Sequence, residues 1–101
     1  MGCKIIFSPQ AIADLEAAVR FIAKDNPDVA VRFGNALIDR VSILENFPLI
    51  GSPYSKRPGV RKLVSRPYLI FYRLNENENE NTVEVLRYWH SAQRNPDMHL
   101  L

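Results

Sequence analysis

The chain has 101 residues, is 47% hydrophobic and 24% charged, and carries a formal net charge of +2. That length fits one domain with one modest core, and no apolar run approaches the ~20 residues that span a bilayer. The opening Met1-Gly2-Cys3-Lys4-Ile5-Ile6-Phe7 lacks the long apolar region and cleavage site of a signal peptide, and Ile6 breaks the myristoylation pattern, so a cytoplasmic, membrane-free protein is expected. Cys3 is the only cysteine, which excludes an internal disulfide; with two histidines and no ligand spacing, neither a metal nor any other cofactor is expected.

Residues 3–7 read as a short strand. Ser8-Pro9 then starts a helix, with Ser8 as N-cap and Pro9 at the first helical position, where a missing N–H costs nothing. Ile12, Leu15, Val19 and Ile22 follow at helical spacing and are expected on the buried face. Asp25-Asn26-Pro27-Asp28 closes this helix and opens a second, whose buried face reads Ala30, Phe33, Leu37, Val41 and Leu44. Phe47-Pro48 ends it, because the residue before proline is pushed out of the helical region. The short connection predicts an antiparallel helical hairpin.

Residues 48–59, PLIGSPYSKRPG, hold three prolines and two glycines and read as a loop of restricted backbone freedom. Strands are predicted at 60–64, 68–74 and 82–90, with the polar turn NENENEN at 75–81 between the last two. The order is β-α-α-β-β-β in a single domain spanning 1–101. It predicts an α+β fold, a helical hairpin on one face of a small antiparallel-rich sheet, with the other face free.

Charge is distributed unevenly along this frame. Residues 46–75 hold six basic side chains, Lys56, Arg57, Arg61, Lys62, Arg66 and Arg73, and no acidic one. Residues 1–47 carry five basic and six acidic side chains, and residues 76–101 carry two and five. Such a belt suits phosphates or an acidic protein. The residues able to carry chemistry cluster after position 54: Tyr54, Arg61, Lys62, Arg66, Tyr68, Arg73, Arg87, Tyr88, Trp89, His90 and Arg94. The set is cationic and aromatic. It fits RNA cleavage by charge stabilisation, with His90 or a tyrosine moving the proton, and equally fits binding of a phosphate-bearing or acidic surface. Arg61 and Lys62 must point to opposite strand faces. Trp89 reads as packing or as a stacking platform. Arg87 interrupts the apolar series Val83, Val85 and must therefore reach solvent, a partner or an acidic neighbour.

Arg61–Val64, the run Ser65-Arg66-Pro67-Tyr68-Leu69-Ile70-Phe71-Tyr72-Arg73, and the run from Val83 through Tyr88-Trp89-His90 to Arg94 resemble the ParE/RelE superfamily of bacterial toxins. The Ser8-Pro9 opening and the Ala-rich helix with Asp14-Leu15 are similar too. The resemblance implies a toxin of a type II toxin–antitoxin pair, of the kind tied to plasmid stabilisation and held in a hetero-oligomer with an acidic or amphipathic antitoxin. RelE-like members are ribosome-dependent mRNA endonucleases whose third strand runs Tyr-Arg-Leu-Val-Tyr with a catalytic Arg. Here that stretch is Tyr68-Leu69-Ile70-Phe71-Tyr72, so Leu69 stands where the Arg would be. Arg61 meets the first catalytic Lys, Leu63 falls on the second, and His90 and Arg94 stand at the C-terminal positions. The departure favours the ParE branch, whose members bind DNA gyrase. The resemblance then implies gyrase or antitoxin contacts at Arg61, Lys62, Arg66, Arg87, Trp89 and Arg94. The alternative is a metal-independent nuclease acting on ribosome-bound mRNA through His90, Arg61, Arg73, Arg87 and Arg94.

Overall fold

The computed structural model describes residues 2–93. Strand β1 (Lys4–Phe7) leads into helix α1 (Pro9–Ala23) and helix α2 (Pro27–Ser42). A 3-10 turn (Ile43–Glu45) follows α2. Four strands complete the chain: β2 (Ser52–Pro53), β3 (Val60–Ser65), β4 (Tyr68–Asn75) and β5 (Thr82–His90). The sheet order is β1-β5-β4-β3-β2. β2 to β5 form an antiparallel meander, and β1 joins β5 in parallel. This is the expected α+β fold with one addition. The loop 48–59 contributes β2, a two-residue edge strand too short to show a period-2 pattern. Among the described residues, no helix is long and apolar enough to cross a membrane.

Both helices begin as the sequence dictates. The Ser8 hydroxyl accepts from the Ala11 N–H at 3.0 Å, and Asn26 Oδ1 accepts from the Val29 N–H at 3.1 Å. Each satisfies a helix-end donor, a cap worth ~1 kcal/mol. The buried face of α1 differs from the periodicity reading. Ile12 is 46% exposed, while Ala11 and Ala18 are buried and Leu15, Val19 and Ile22 are half-buried. The small alanines form the seam, so the large side chains flank the contact instead of filling it. On α2, Leu37 and Val41 are buried, with Leu44 in the turn beyond, and Phe33 is half-buried. The helices approach closely at Gly34, where a Cβ would sit 2.9 Å from Val19 Cγ2.

The main core joins Leu37, Val41 and Leu44 to Leu63, Ile70, Tyr72, Val83, Val85 and Tyr88. The opposite sheet face is not bare, contrary to expectation. Tyr54 folds over it and packs edge-on against Phe71 at 4.8 Å, in a second small core with Val60 and Leu86.

Register breaks once. Phe71 pairs with Arg87 and Tyr72 with Val85, so Leu86 is an extra residue in β5. This bulge places Arg87 opposite Phe71, on the face away from Val83 and Val85.

Gly51 is the tightest point of the sheet edge. A Cβ there would meet the Tyr72 hydroxyl at 2.7 Å and the Lys62 carbonyl at 2.8 Å. Gly51→Ala is expected to destabilise the fold by about 1–3 kcal/mol through overpacking. Urea unfolding checks it: an unchanged midpoint would mean that the 48–53 segment is not held as described.

Candidate functional site

The C-terminal half of β5 has no strand on its outer side, because β1 ends at Phe7 opposite Val85. Two side chains take the place of a strand there. Ser8 Oγ donates to the Leu86 carbonyl at 2.8 Å, and Asp14 Oδ2 accepts from the Tyr88 N–H at 3.1 Å. Asp14 also clamps Arg87. Arg87 Nε donates to Oδ2 at 2.7 Å and Nη2 donates to Oδ1 at 2.8 Å. The pair is bidentate, with both side chains about four-fifths buried (19% and 18% exposed). The Asp14 hydrogen bond and charge raise the Arg87 pKa further above its ordinary value, against the opposing effect of burial. The guanidinium lies 5.0 Å from the centre of the Trp89 ring.

Arg73 and Arg61 follow the same rule. Arg73 Nε and Nη2 reach Glu84 Oε1 at 2.8 and 2.7 Å, across the β4–β5 pair. Arg61 Nη1 donates to the Gly51 carbonyl at 2.7 Å and to the Leu49 carbonyl at 3.3 Å. Arg61 thus anchors a loop. Lys62, opposite Phe71 in register, stands half-buried on the other face, as strand alternation requires. Arg66 is exposed in the turn between β3 and β4. Leu69 pairs with Trp89 and packs on the second core, so an aliphatic side chain occupies that position on the outer face.

Beyond the Asp14 clamp, between α1 and β5, lies a groove of about 460 Å³. Phe21, Tyr68, Arg87, Trp89, His90 and Gln93 are among its lining residues. His90 stacks edge-on against Tyr68 at 5.2 Å, and its Nδ1 accepts from the Ala92 N–H at 3.0 Å. In a neutral ring this leaves the proton on Nε2. Burial, and secondarily the Asp14 charge, pushes the Tyr68 hydroxyl pKa up. Burial alone pushes Tyr88 up further. Neither phenol is prepared to act as a base near neutral pH. Arg94 lies outside the described residues.

The sequence marked Ser8 as an N-cap but not its bond to the Leu86 carbonyl, and it did not mark Asp14 or Tyr72 as organising residues. Asp14 and Arg87 are 73 positions apart, and no local pattern joins them. The one available signal was the demand of Arg87 for an acidic neighbour. Among the described residues no three His, Cys, Asp or Glu side chains gather to hold a metal ion.

A helical hairpin seated on a mixed five-strand sheet is the fold shared with solved ParE- and RelE-type toxins. The model of the ParE toxin of the type II toxin–antitoxin system parDE matches residues 5–95, and the chain belongs to that family. "Putative toxin Y4kP" of Sinorhizobium fredii is 30% identical over 97 residues, covering 94% of this chain and 95% of that protein. Three solved structures share the fold. The chromosomal ParDE system from P. aeruginosa matches with a TM-score of 0.72 at 23% identity, over 87% of this chain and 95% of that one. The RelBE2 toxin–antitoxin complex of Mycobacterium tuberculosis matches with a TM-score of 0.58 at 23% identity, over 89% and 99%. A YoeB/ParE toxin from Agrobacterium tumefaciens matches with a TM-score of 0.62 at 15% identity, over 86% and 97%.

The tyrosines give a pH test. The hydroxyls of Tyr68, Tyr72 and Tyr88 all have folded pKa values raised above the ordinary 10.0. The folded state therefore favours their protonated form. The stability this adds is complete below about pH 10 and is lost as pH rises through the raised values. Tyrosinate absorbance of the folded chain should rise in separate steps, with most of these three ionising only as the chain unfolds. All four tyrosines titrating together near pH 10 would contradict the burial described.

Proposed function

We propose that this toxin acts by binding, as a ParE-like inhibitor of DNA gyrase, and is neutralised by a cognate antitoxin. The engagement of its arginines carries the reading. Arg61, Arg73 and Arg87 belong to the cation set a nuclease would use, and each is tied to a carbonyl or carboxylate inside the fold. Phosphoryl-transfer catalysis needs fixed cations aimed at the developing charge. Leu69 supplies none at the position where nuclease relatives carry an Arg. Lys62 and Arg66 remain as target-facing cations, with Trp89, beneath the Arg87 guanidinium, as an apolar anchor. Arg61 and Arg87 serve the same surface by holding its frame.

The antitoxin covers part of the basic belt in this reading, with a helix or an added strand. Away from the belt, a helix also has a seat of about 380 Å³ between α1 and α2, walled by Leu15, Val19, Val31, Gly34 and Ile38 and rimmed by Glu16 and Arg20. Its association should slow with added salt, because complementary charge steers encounter and screening lengths shorten below ~10 Å.

The target is tested with purified toxin, gyrase and supercoiled plasmid beside toxin and programmed ribosomes. Cleaved plasmid should accumulate, and His90→Ala should leave this effect largely intact. Lys62→Glu with Arg66→Glu should weaken it. Cut mRNA on the ribosome, reduced about 10²–10⁴-fold by His90→Ala, would show a nuclease instead.

A further inference from the structure

The loop leaving α2 presents three large apolar side chains to solvent: Phe47, Leu49 and Ile50 are 60%, 59% and 51% exposed. They fall within four consecutive positions, here called the crest, and the backbone of the loop that carries them is tightly held. Tyr72, fully buried in β4, donates its hydroxyl proton to the Pro48 carbonyl at 2.8 Å and accepts from the Gly51 N–H at 3.0 Å. Arg61 holds the Leu49 and Gly51 carbonyls. The Ile50 N–H donates to the Phe47 carbonyl at 3.1 Å, and Pro48 restricts the backbone between them. A buried phenol and an arginine thus bond a loop whose own hydrophobic side chains stay outside. A loop stabilised for folding alone would turn Leu49 or Ile50 inward.

We propose that this crest is a docking surface for an acidic, amphipathic segment of the antitoxin, separate from any helix lodged between α1 and α2. The inference rests on the antitoxin-neutralised reading above and adds a specific contact to it. Apolar side chains at the centre favour a protein over nucleic acid, since phosphates gain nothing from Phe47, Leu49 and Ile50. Charge favours an acidic partner. The chain from 46 to 75, which carries the crest and the strands beside it, has no Asp or Glu. Arg61 lies directly behind the crest, and Lys62 is in register with Ser52 just past it. Glu45 is the one acid bordering the loop in sequence, two residues before Phe47. Pre-ordering of the loop lowers the entropy its partner must overcome on binding. It also makes Arg61 a presenting residue for this contact.

The test compares wild type with the double variant Leu49→Ser, Ile50→Ser. The probe is the purified protein encoded by the adjacent reading frame, and binding is measured by calorimetry. Thermal melting verifies that both chains fold, as expected for two exposed positions. The variant should bind about tenfold or more weakly, while its toxicity on induction without antitoxin is retained. Equal affinity overturns the proposal. Lost toxicity with unchanged affinity also overturns it, because the crest then faces the cellular target. A wild-type dimer on gel filtration that the variant dissolves overturns it in favour of a second copy of this chain. If wild type itself does not bind the probe, the antitoxin reading fails and this contact falls with it.

Discussion

The Asp14 carboxylate is the interaction on which the rest of the molecule depends. It lies on α1 and acts on β5, so it joins the first third of the chain to the last. One oxygen replaces the strand missing beside Tyr88, and both oxygens hold Arg87. A bare strand edge would offer unpaired donors and acceptors to any passing chain. Ser8 completes the seal by capping α1 and bonding the Leu86 carbonyl together. The helical hairpin is therefore seated by polar contacts at its N-terminal end and by apolar contacts along α2.

The bulge at Leu86 makes this arrangement possible. Strict alternation would have left Arg87 on the face of Val83 and Val85, beneath the helices. There a cation would need full desolvation, which costs several kcal/mol even when paired. The extra residue turns Arg87 to the outer face, over Trp89 and within reach of Asp14 around the edge. Leu86, the extra residue itself, packs in the second core with Phe71 and Tyr54. One irregularity in β5 thus sets the face of both Arg87 and Trp89. Of the belt, Lys56 and Arg66 are exposed and Lys62 is half-buried on the outer face, while Arg61 and Arg73 bond within the fold.

Much of the frame was legible in the sequence because it rests on local rules. Ser8-Pro9 and Asn26-Pro27 mark helix starts by capping chemistry alone, and the meander follows from apolar runs separated by polar turns. The faces were harder. Ile12 fits the helical period as well as Ala11 does, and only the closeness of α1 to the sheet decides that the smaller residue is inside. The two-residue β2 has no period to read. The site divides the same way. Arg61, Arg87, Trp89 and His90 were visible as a cationic and aromatic set, and the opposite orientation of Arg61 and Lys62 follows from strand geometry. Their partners were not visible. Asp14, Glu84 and the carbonyls of Leu49 and Gly51 are joined to them by tertiary folding, and one inserted residue in β5 changes which side Arg87 faces.

The arginines nearest the candidate site act first within the fold, with the Asp14–Arg87 clamp foremost. A double-mutant cycle tests it most directly. Asp14→Ala, Arg87→Ala and the double variant are unfolded in urea and followed through Trp89, the chain's only tryptophan. The clamp predicts a coupling energy of about 1.5–3 kcal/mol, the size of hydrogen bonds to charged groups and the upper part of the range for coupled residues. It also predicts a shift in Trp89 emission in either single variant. Additive effects, with coupling near zero and unchanged emission, would mean that Arg87 is not held by Asp14.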